Sequence, residues 1–147
     1  VGVVIVGRVL VEGRAEAPAL VLGEPLSFWG GVDPATGRIV EVGHPQQGEV
    51  VTGRVLVMPS GRGSSSSATV LAEAIRLGTG PAGIVLRVPD GIVAIGALVA
   101  AELYGVAVPV VLLDGPAHRS LVDGALLRVD APARSRPAAV IPGPSDP

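Results

Sequence analysis

An α/β fold is what this sequence predicts, and three features predict it. The runs AGIVLRV (82–88) and VAVPVVLLDG (106–115) are continuously apolar, as strands buried on both faces are. Between and before them, SATVLAEAIRLG (67–78) and GIVAIGALVAAELYG (91–105) carry the composition and spacing of helices. Hydrophobic residues make up 48% of the 147-residue chain but aromatics only 2%, so the core is aliphatic, with Val favouring strands and Ala and Leu favouring helices.

The elements follow in order. GRVLVEG (7–13) and APALVL (17–22) read as two strands around a turn from Gly13 to Ala17. The stretch EPLSFWGGVDPATGRIVEVGHP (24–45) holds the only Phe and the only Trp, adjacent at Phe28 and Trp29 and followed by Gly30 and Gly31. Asp33-Pro34 with Gly37 is a turn signature, and RIVEV (38–42) reads as a short strand. GRVLVMP (53–59) is another strand and feeds the loop PSGRGSSSS. In the helix that follows, Val70, Leu71, Ala74 and Ile75 recur at helical spacing, and Gly78 is a C-terminal stop. Asp90 caps the next helix, whose apolar face is read as Ile92, Ile95, Leu98, Val99 and Leu103, with Glu102 toward solvent. ALLRVDAP (125–132) is read as the last strand, and residues 132–147, rich in Pro and Ala, as a flexible tail. The layout is an N-terminal β-rich half joined to a β/α half with parallel strands and right-handed crossovers.

Composition also narrows function. The net charge of -2 has no basic block, which argues against nucleic acid. There is no Cys, so thiolate-ligated zinc or iron–sulfur sites made by this chain alone are excluded. No Lys is present, so Schiff-base chemistry and a Walker-type phosphate loop are excluded as well. The apolar run from Ile92 to Leu113 is broken by Glu102, Gly105 and Pro109 and is read as a helix and a strand, not a membrane span. The first residues lack the features of a signal peptide, so the expected compartment is the cytoplasm.

The loop at 58–67 carries the chemistry. A glycine-rich turn entering a helix presents backbone N–H groups and the positive end of the helix dipole. Arg62 offers a bidentate partner to a carboxylate or phosphate, Gly61 and Gly63 let a ligand approach the backbone, and Ser65, Ser66 or Ser67 can cap the helix. The loop reads either as a capped turn or as a site for a small anion in which a serine hydroxyl acts as base. Phe28 and Trp29 read either as core anchors or as a pocket wall or partner surface, and Asp33 either as a turn residue or as part of that surface. His44 and His118 are expected at the surface. A hydrolytic triad of Ser64, His44 and Asp33 can be drawn, but no G-x-S-x-G elbow supports it.

Three segments together, EPLSFWGGVDPATGRI (24–39), GRVLVMPSGRGSSSSATVLAE (53–73) and GIVAIGALVAAELYGVAVPVV (91–111), resemble the small subunit of the aconitase X group. The paired blocks PLSFWGG-D and GRGSS make the resemblance specific. It implies a swivelling β/β/α domain, here over residues 1–131, and a larger partner chain holding an iron–sulfur or iron centre, with no cofactor on this chain. It also implies dehydration of a small hydroxy acid such as mevalonate 5-phosphate or cis-3-hydroxy-L-proline. Ser64 would be the proton acceptor, with Ser65 its rival. Arg62, Gly63 and Ser65 would bind the anionic substrate, and Ser27, Phe28, Trp29, Gly30 and Asp33 would form a pocket or partner surface. The competing class is a non-catalytic anion-binding or regulatory domain.

Overall fold

In the computed structural model, which describes residues 3–143, the apolar strands close on themselves. The chain runs β1 (Ile5–Val11), β2 (Gly13–Val21), α1 (Phe28–Gly31), β3 (Val32–Asp33), β4 (Arg38–Ile39), β5 (Val55–Met58), α2 (Ser66–Leu77) and β6 (Gly83–Leu86). It continues through α3 (Gly91–Tyr104), β7 (Val110–Leu112), α4 (Gly115–Arg119), β8 (Leu126–Ala131) and β9 (Pro137–Pro142). Strands β1-β7-β6-β5-β2-β8-β9 form one closed barrel, and β3 and β4 pair separately. The expected parallel unit is present, since β5 pairs β6 and β6 pairs β7 in parallel. It is not a separate half: β2 joins β5 in parallel, and β1 joins β7 antiparallel, so both parts of the chain share one barrel.

Alternation along the strands explains the apolar runs. Val55, Val57, Val85 and Val111 belong to a core made of barrel strands with Leu121, whereas Leu56, Met58, Ile84 and Leu86 belong to a second core with α2 and α3. Each central strand is therefore buried on both faces, as its lack of polar alternation requires. The barrel interior takes Val, Ala and Leu, which is why so few aromatics suffice.

Four expectations are corrected. The β1–β2 connection is tighter than Gly13 to Ala17, because β2 already starts at Gly13, opposite Ala131 of β8. RIVEV pairs as a strand only over Arg38–Ile39. Residues 137–142 are not tail but β9, which lies between β1 and β8 and buries Ala138 and Val140. The rest of the expected tail beyond Gly143 lies outside the described residues.

The fourth correction concerns α3. Val93, Gly96, Ala97 and Ala100 are its buried face, while Ile95 (55% exposed), Leu98 (45%) and Leu103 (69%) point outward. Gly96 shows the cause. A Cβ there would lie 2.9 Å from the Ala68 carbonyl oxygen and 3.2 Å from its Cα, so α2 and α3 approach through their small residues. Asp90 caps α3 as expected, its Oδ1 accepting from the N–H groups of Ile92 (2.9 Å) and Val93 (3.1 Å).

Candidate active site

The two blocks that are far apart in sequence meet in space. Leu26 bridges Gly61 in parallel, and the Arg62 N–H donates to the Leu26 carbonyl at 3.2 Å, so the loop after β5 is zipped to the segment entering α1. Gly63 has φ +94°, and a Cβ there would sit 2.6 Å from Ser27 Oγ. A side chain at 63 would be strained and would push the two blocks apart.

The serines divide into two kinds. Ser64, Ser65 and Ser66 are exposed, and Ser67 is buried. Ser64 Oγ accepts from the Ser66 N–H at 3.1 Å and its carbonyl accepts from the Ser67 N–H at 2.9 Å, so Ser64 performs the capping at the start of α2. Ser65 precedes the helix without a side-chain cap bond. Ser67 Oγ accepts from the Trp29 N–H at 3.2 Å and lies 3.3 Å from Ser27 Oγ. Ser27 donates its own proton to the Trp29 carbonyl at 2.8 Å, so the proton shared between the two hydroxyls comes from Ser67. Ser67 and Ser27 are thus a buried clamp that holds the Phe28–Gly31 turn on α2.

Arg62 is not free. Its guanidinium pairs with the carboxylate of Glu41, a residue of the RIVEV stretch that sequence reasoning left without a role. The Glu41 hydrogen bond, together with the charges of Glu41 and Glu24, holds the Arg62 pKa above its ordinary value. Glu41 is itself placed by the other block, since the Val40 and Glu41 N–H groups both donate to the Gly31 carbonyl.

These elements enclose a cleft of about 210 Å³ lined by Leu26, Phe28, Arg62, Ser67, Asp90 and Val93, with Gly61 and Gly63 on its wall. A larger hollow of about 550 Å³, lined by Leu10, Arg14, Leu98, Glu102 and Arg134 among others, contains no residue of the serine loop. Phe28 is fully buried and floors the small cleft, whereas Trp29 is 59% exposed beside the open Gly30. Asp33 is a turn residue: its Oδ1 accepts from the Ala35 N–H at 2.9 Å and it does not line the cleft.

Both histidines are buried, contrary to the surface positions expected of them. His44 Nδ1 accepts from the Gln46 N–H at 3.0 Å, which leaves Nε2–H for the Glu24 carbonyl. His118 Nε2 donates to the carbonyls of Met58 (2.9 Å) and Val85 (3.2 Å), tying α4 to the ends of β5 and β6. Burial pushes its pKa below the ordinary histidine value. With His44 and Asp33 both engaged locally, the structure does not bring Ser64, His44 and Asp33 together as a triad.

The aconitase X swivel-domain model matches residues 4–136. The chain belongs to the aconitase X swivel-domain family. The cis-3-hydroxy-L-proline dehydratase of Pseudomonas aeruginosa is 47% identical over 74% of this chain, and the match spans 19% of that protein. The phosphomevalonate dehydratase small subunit of Methanopyrus kandleri is 51% identical over 58% of this chain and 64% of that subunit. Its Pyrococcus furiosus counterpart is 39% identical over 84% of this chain and 87% of that subunit. The chain thus spans about a fifth of the hydroxyproline dehydratase and most of the archaeal small subunit of Pyrococcus furiosus. The crystal structure of Thermococcus kodakaraensis aconitase X in its holo-form superposes with a TM-score of 0.81 at 33% identity, covering 95% of this chain and 98% of that one. For this swivel domain, the mixed barrel with its helices is the family fold, as the resemblance implied.

Proposed function

We propose that this swivel domain is the small component of a two-chain aconitase X-type hydro-lyase, and that it dehydrates a small hydroxy acid, mevalonate 5-phosphate or cis-3-hydroxy-L-proline, together with a larger catalytic chain. One observation carries the reading: the 24–31 and 61–67 blocks converge, Gly61, Arg62, Gly63 and Ser67 line a cleft with Leu26 and Phe28, and Ser64, next in the chain to that lining, is exposed. Exposure lets a partner close over Ser64, while Ser67 is buried and already donates to Ser27 Oγ and accepts from the Trp29 N–H.

In this reading Ser64 is the base. The Ser66 N–H and the N-terminus of α2 stabilise negative charge on its Oγ. It takes the proton from the carbon next to the substrate carboxylate; the electron pair forms the C=C bond and the hydroxyl on the neighbouring carbon leaves as hydroxide, which becomes water on taking up a proton from solvent. Arg62 holds the carboxylate through the guanidinium edge that Glu41 leaves available. The chain has no Cys, and among the described residues no three His, Asp or Glu converge as a metal ligand set. The iron centre therefore belongs in this reading to the larger chain, where it would supply Lewis-acid chemistry.

Exposed Trp29 and the outward Ile95, Leu98 and Leu103 of α3 support a partner chain. Among the described residues no helix is long and apolar enough to cross a membrane, and we place the complex in the cytoplasm.

The test is Ser64→Ala in the complex reconstituted with the larger chain. kcat should fall by about 10²–10⁴-fold, the usual contribution of a general base. Wild-type turnover would remove Ser64 from the mechanism. Arg62→Ala should raise KM for the substrate, and an unchanged KM would end its binding role.

A further inference from the structure

We infer that Glu41 is a positioning residue for the proposed dehydration: its carboxylate aims the Arg62 guanidinium at the cleft before substrate arrives. This rests on the dehydratase reading above and adds a residue to it.

Arg62 needs that support. It stands between Gly61 and Gly63, so neither chain neighbour gives its stem a side chain to pack on, and its side chain is 42% exposed. An exposed arginine samples many rotamers and loses that freedom when it meets a ligand in one geometry. Among the described residues Glu41 is the one side chain paired with its guanidinium, Oε2 accepting from Nη2. The guanidinium is a rigid plane carrying N–H donors on all three nitrogens, so a hold on one nitrogen restricts where the others point.

Glu41 is built into the fold more firmly than Arg62. Its side chain is 20% exposed. Its N–H donates to the Gly31 carbonyl at 3.2 Å, beside that of Val40 at 2.9 Å, and its own carbonyl accepts from the His44 N–H at 3.2 Å. His44 is buried, and its ring is engaged by the Gln46 N–H and the Glu24 carbonyl. A Cβ on Gly31 would stand 3.1 Å from Glu41 Oε1, so the glycine leaves the room that this oxygen occupies. Gly31 closes the turn that Ser27 and Ser67 clamp to α2. A line of contacts therefore runs from α2 through that turn to Glu41 and on to Arg62. Arg62 lines the cleft and Glu41 does not, so Glu41 acts through the arginine. Two effects of its carboxylate oppose each other. Ordering Arg62 favours binding, while the negative charge disfavours a second anion at the same guanidinium. Glutamine separates the two, since it keeps an acceptor and drops the charge.

The complex reconstituted with the larger chain is assayed with mevalonate 5-phosphate and with cis-3-hydroxy-L-proline, and the variants are compared on the compound it turns over. Glu41→Ala should raise KM about two- to tenfold, the cost of ordering one long side chain on binding, with a smaller change in kcat. Glu41→Gln keeps the acceptor, so its KM should stay within about twofold of wild type. In an Arg62→Ala background, Glu41→Ala should raise KM no further, because its effect passes through the arginine. The isolated chain carrying Glu41→Ala should melt within about 4 °C of wild type, since a surface ion pair contributes little. An unchanged or lowered KM in Glu41→Ala, a Glu41→Gln variant as impaired as Glu41→Ala, a further rise on top of Arg62→Ala, or a larger loss of Tm each overturns the inference and leaves the dehydratase reading standing. A wild-type KM in Arg62→Ala removes the binding role of Arg62 and the inference with it. Turnover of neither compound overturns both the inference and the reading beneath it.

Discussion

Ser64 and Ser67 lie three positions apart in the same serine run, and the structure gives their alanine variants opposite phenotypes. In Ser67→Ala the part-buried Trp29 N–H loses its acceptor and Ser27 Oγ loses its donor. A part-buried donor left without its acceptor costs about 1–2 kcal/mol, the lower part of the range for a buried one, and the lost hydroxyl pair adds about 0.5–1. For a chain of this size each kcal/mol moves Tm by about 2–4 °C, so Ser67→Ala should melt roughly 3–12 °C lower. In Ser64→Ala only an exposed cap is lost, and water can replace its contact with the Ser66 N–H. That costs about 0.5–1 kcal/mol, or roughly 1–4 °C. Turnover should follow the opposite order, with Ser64→Ala the more damaged catalyst at a temperature where both variants are folded. Thermal melts by circular dichroism on the isolated chain, paired with turnover by the reconstituted complex, decide it. If Ser67→Ala melts with the wild type, or Ser64→Ala melts below Ser67→Ala, the division of the serines into clamp and base is wrong.

Three other outcomes follow from the same geometry. His118 has a folded-state pKa below its unfolded one, so the unfolded chain binds more protons in acid; stability is full above about pH 6.5 and falls as pH drops from there toward the folded value. Urea midpoints measured from about pH 5 to 8 should show this decline, and His118→Gln should flatten it. Truncation after Arg136 removes β9 and exposes the edges of β1 and β8, so the product should lose cooperative melting; a sharp native-like transition would contradict the barrel. Ile95→Asp with Leu98→Asp should leave the melt nearly unchanged while weakening co-purification with the larger chain, since both side chains are outward.

Much of this was legible in the residues. β5, β6, β7, α2 and α3 lie close to where their apolar runs and periodicity put them, and Asp90 and Gly78 mark helix ends as their types require. The pairing of the Ser27–Gly30 block with the Arg62–Ser64 loop was carried by family resemblance, because no local rule joins segments so far apart. What could not be read has physical causes. α3 is apolar on nearly every side, so periodicity could not tell which face turns inward; the close approach at Gly96 decides it. β9 begins and ends with Pro and has Ala at 138 and 139, which reads as linker until barrel closure gives it two partners. Glu41 looked like one more strand residue, since its role depends on a guanidinium 21 positions away. The lone histidines gave no sign that backbone carbonyls were waiting for them.

Barrel closure has one more consequence. β1 and β9 are hydrogen-bonded neighbours, with Ile5 opposite Val140, so the first and last described strands sit side by side. A cylinder whose ends emerge together can be spliced onto a longer polypeptide or cut loose from it without rearranging its interior. That is a structural reason why one architecture can serve both as a fifth of a single long enzyme and as nearly the whole of a detached subunit.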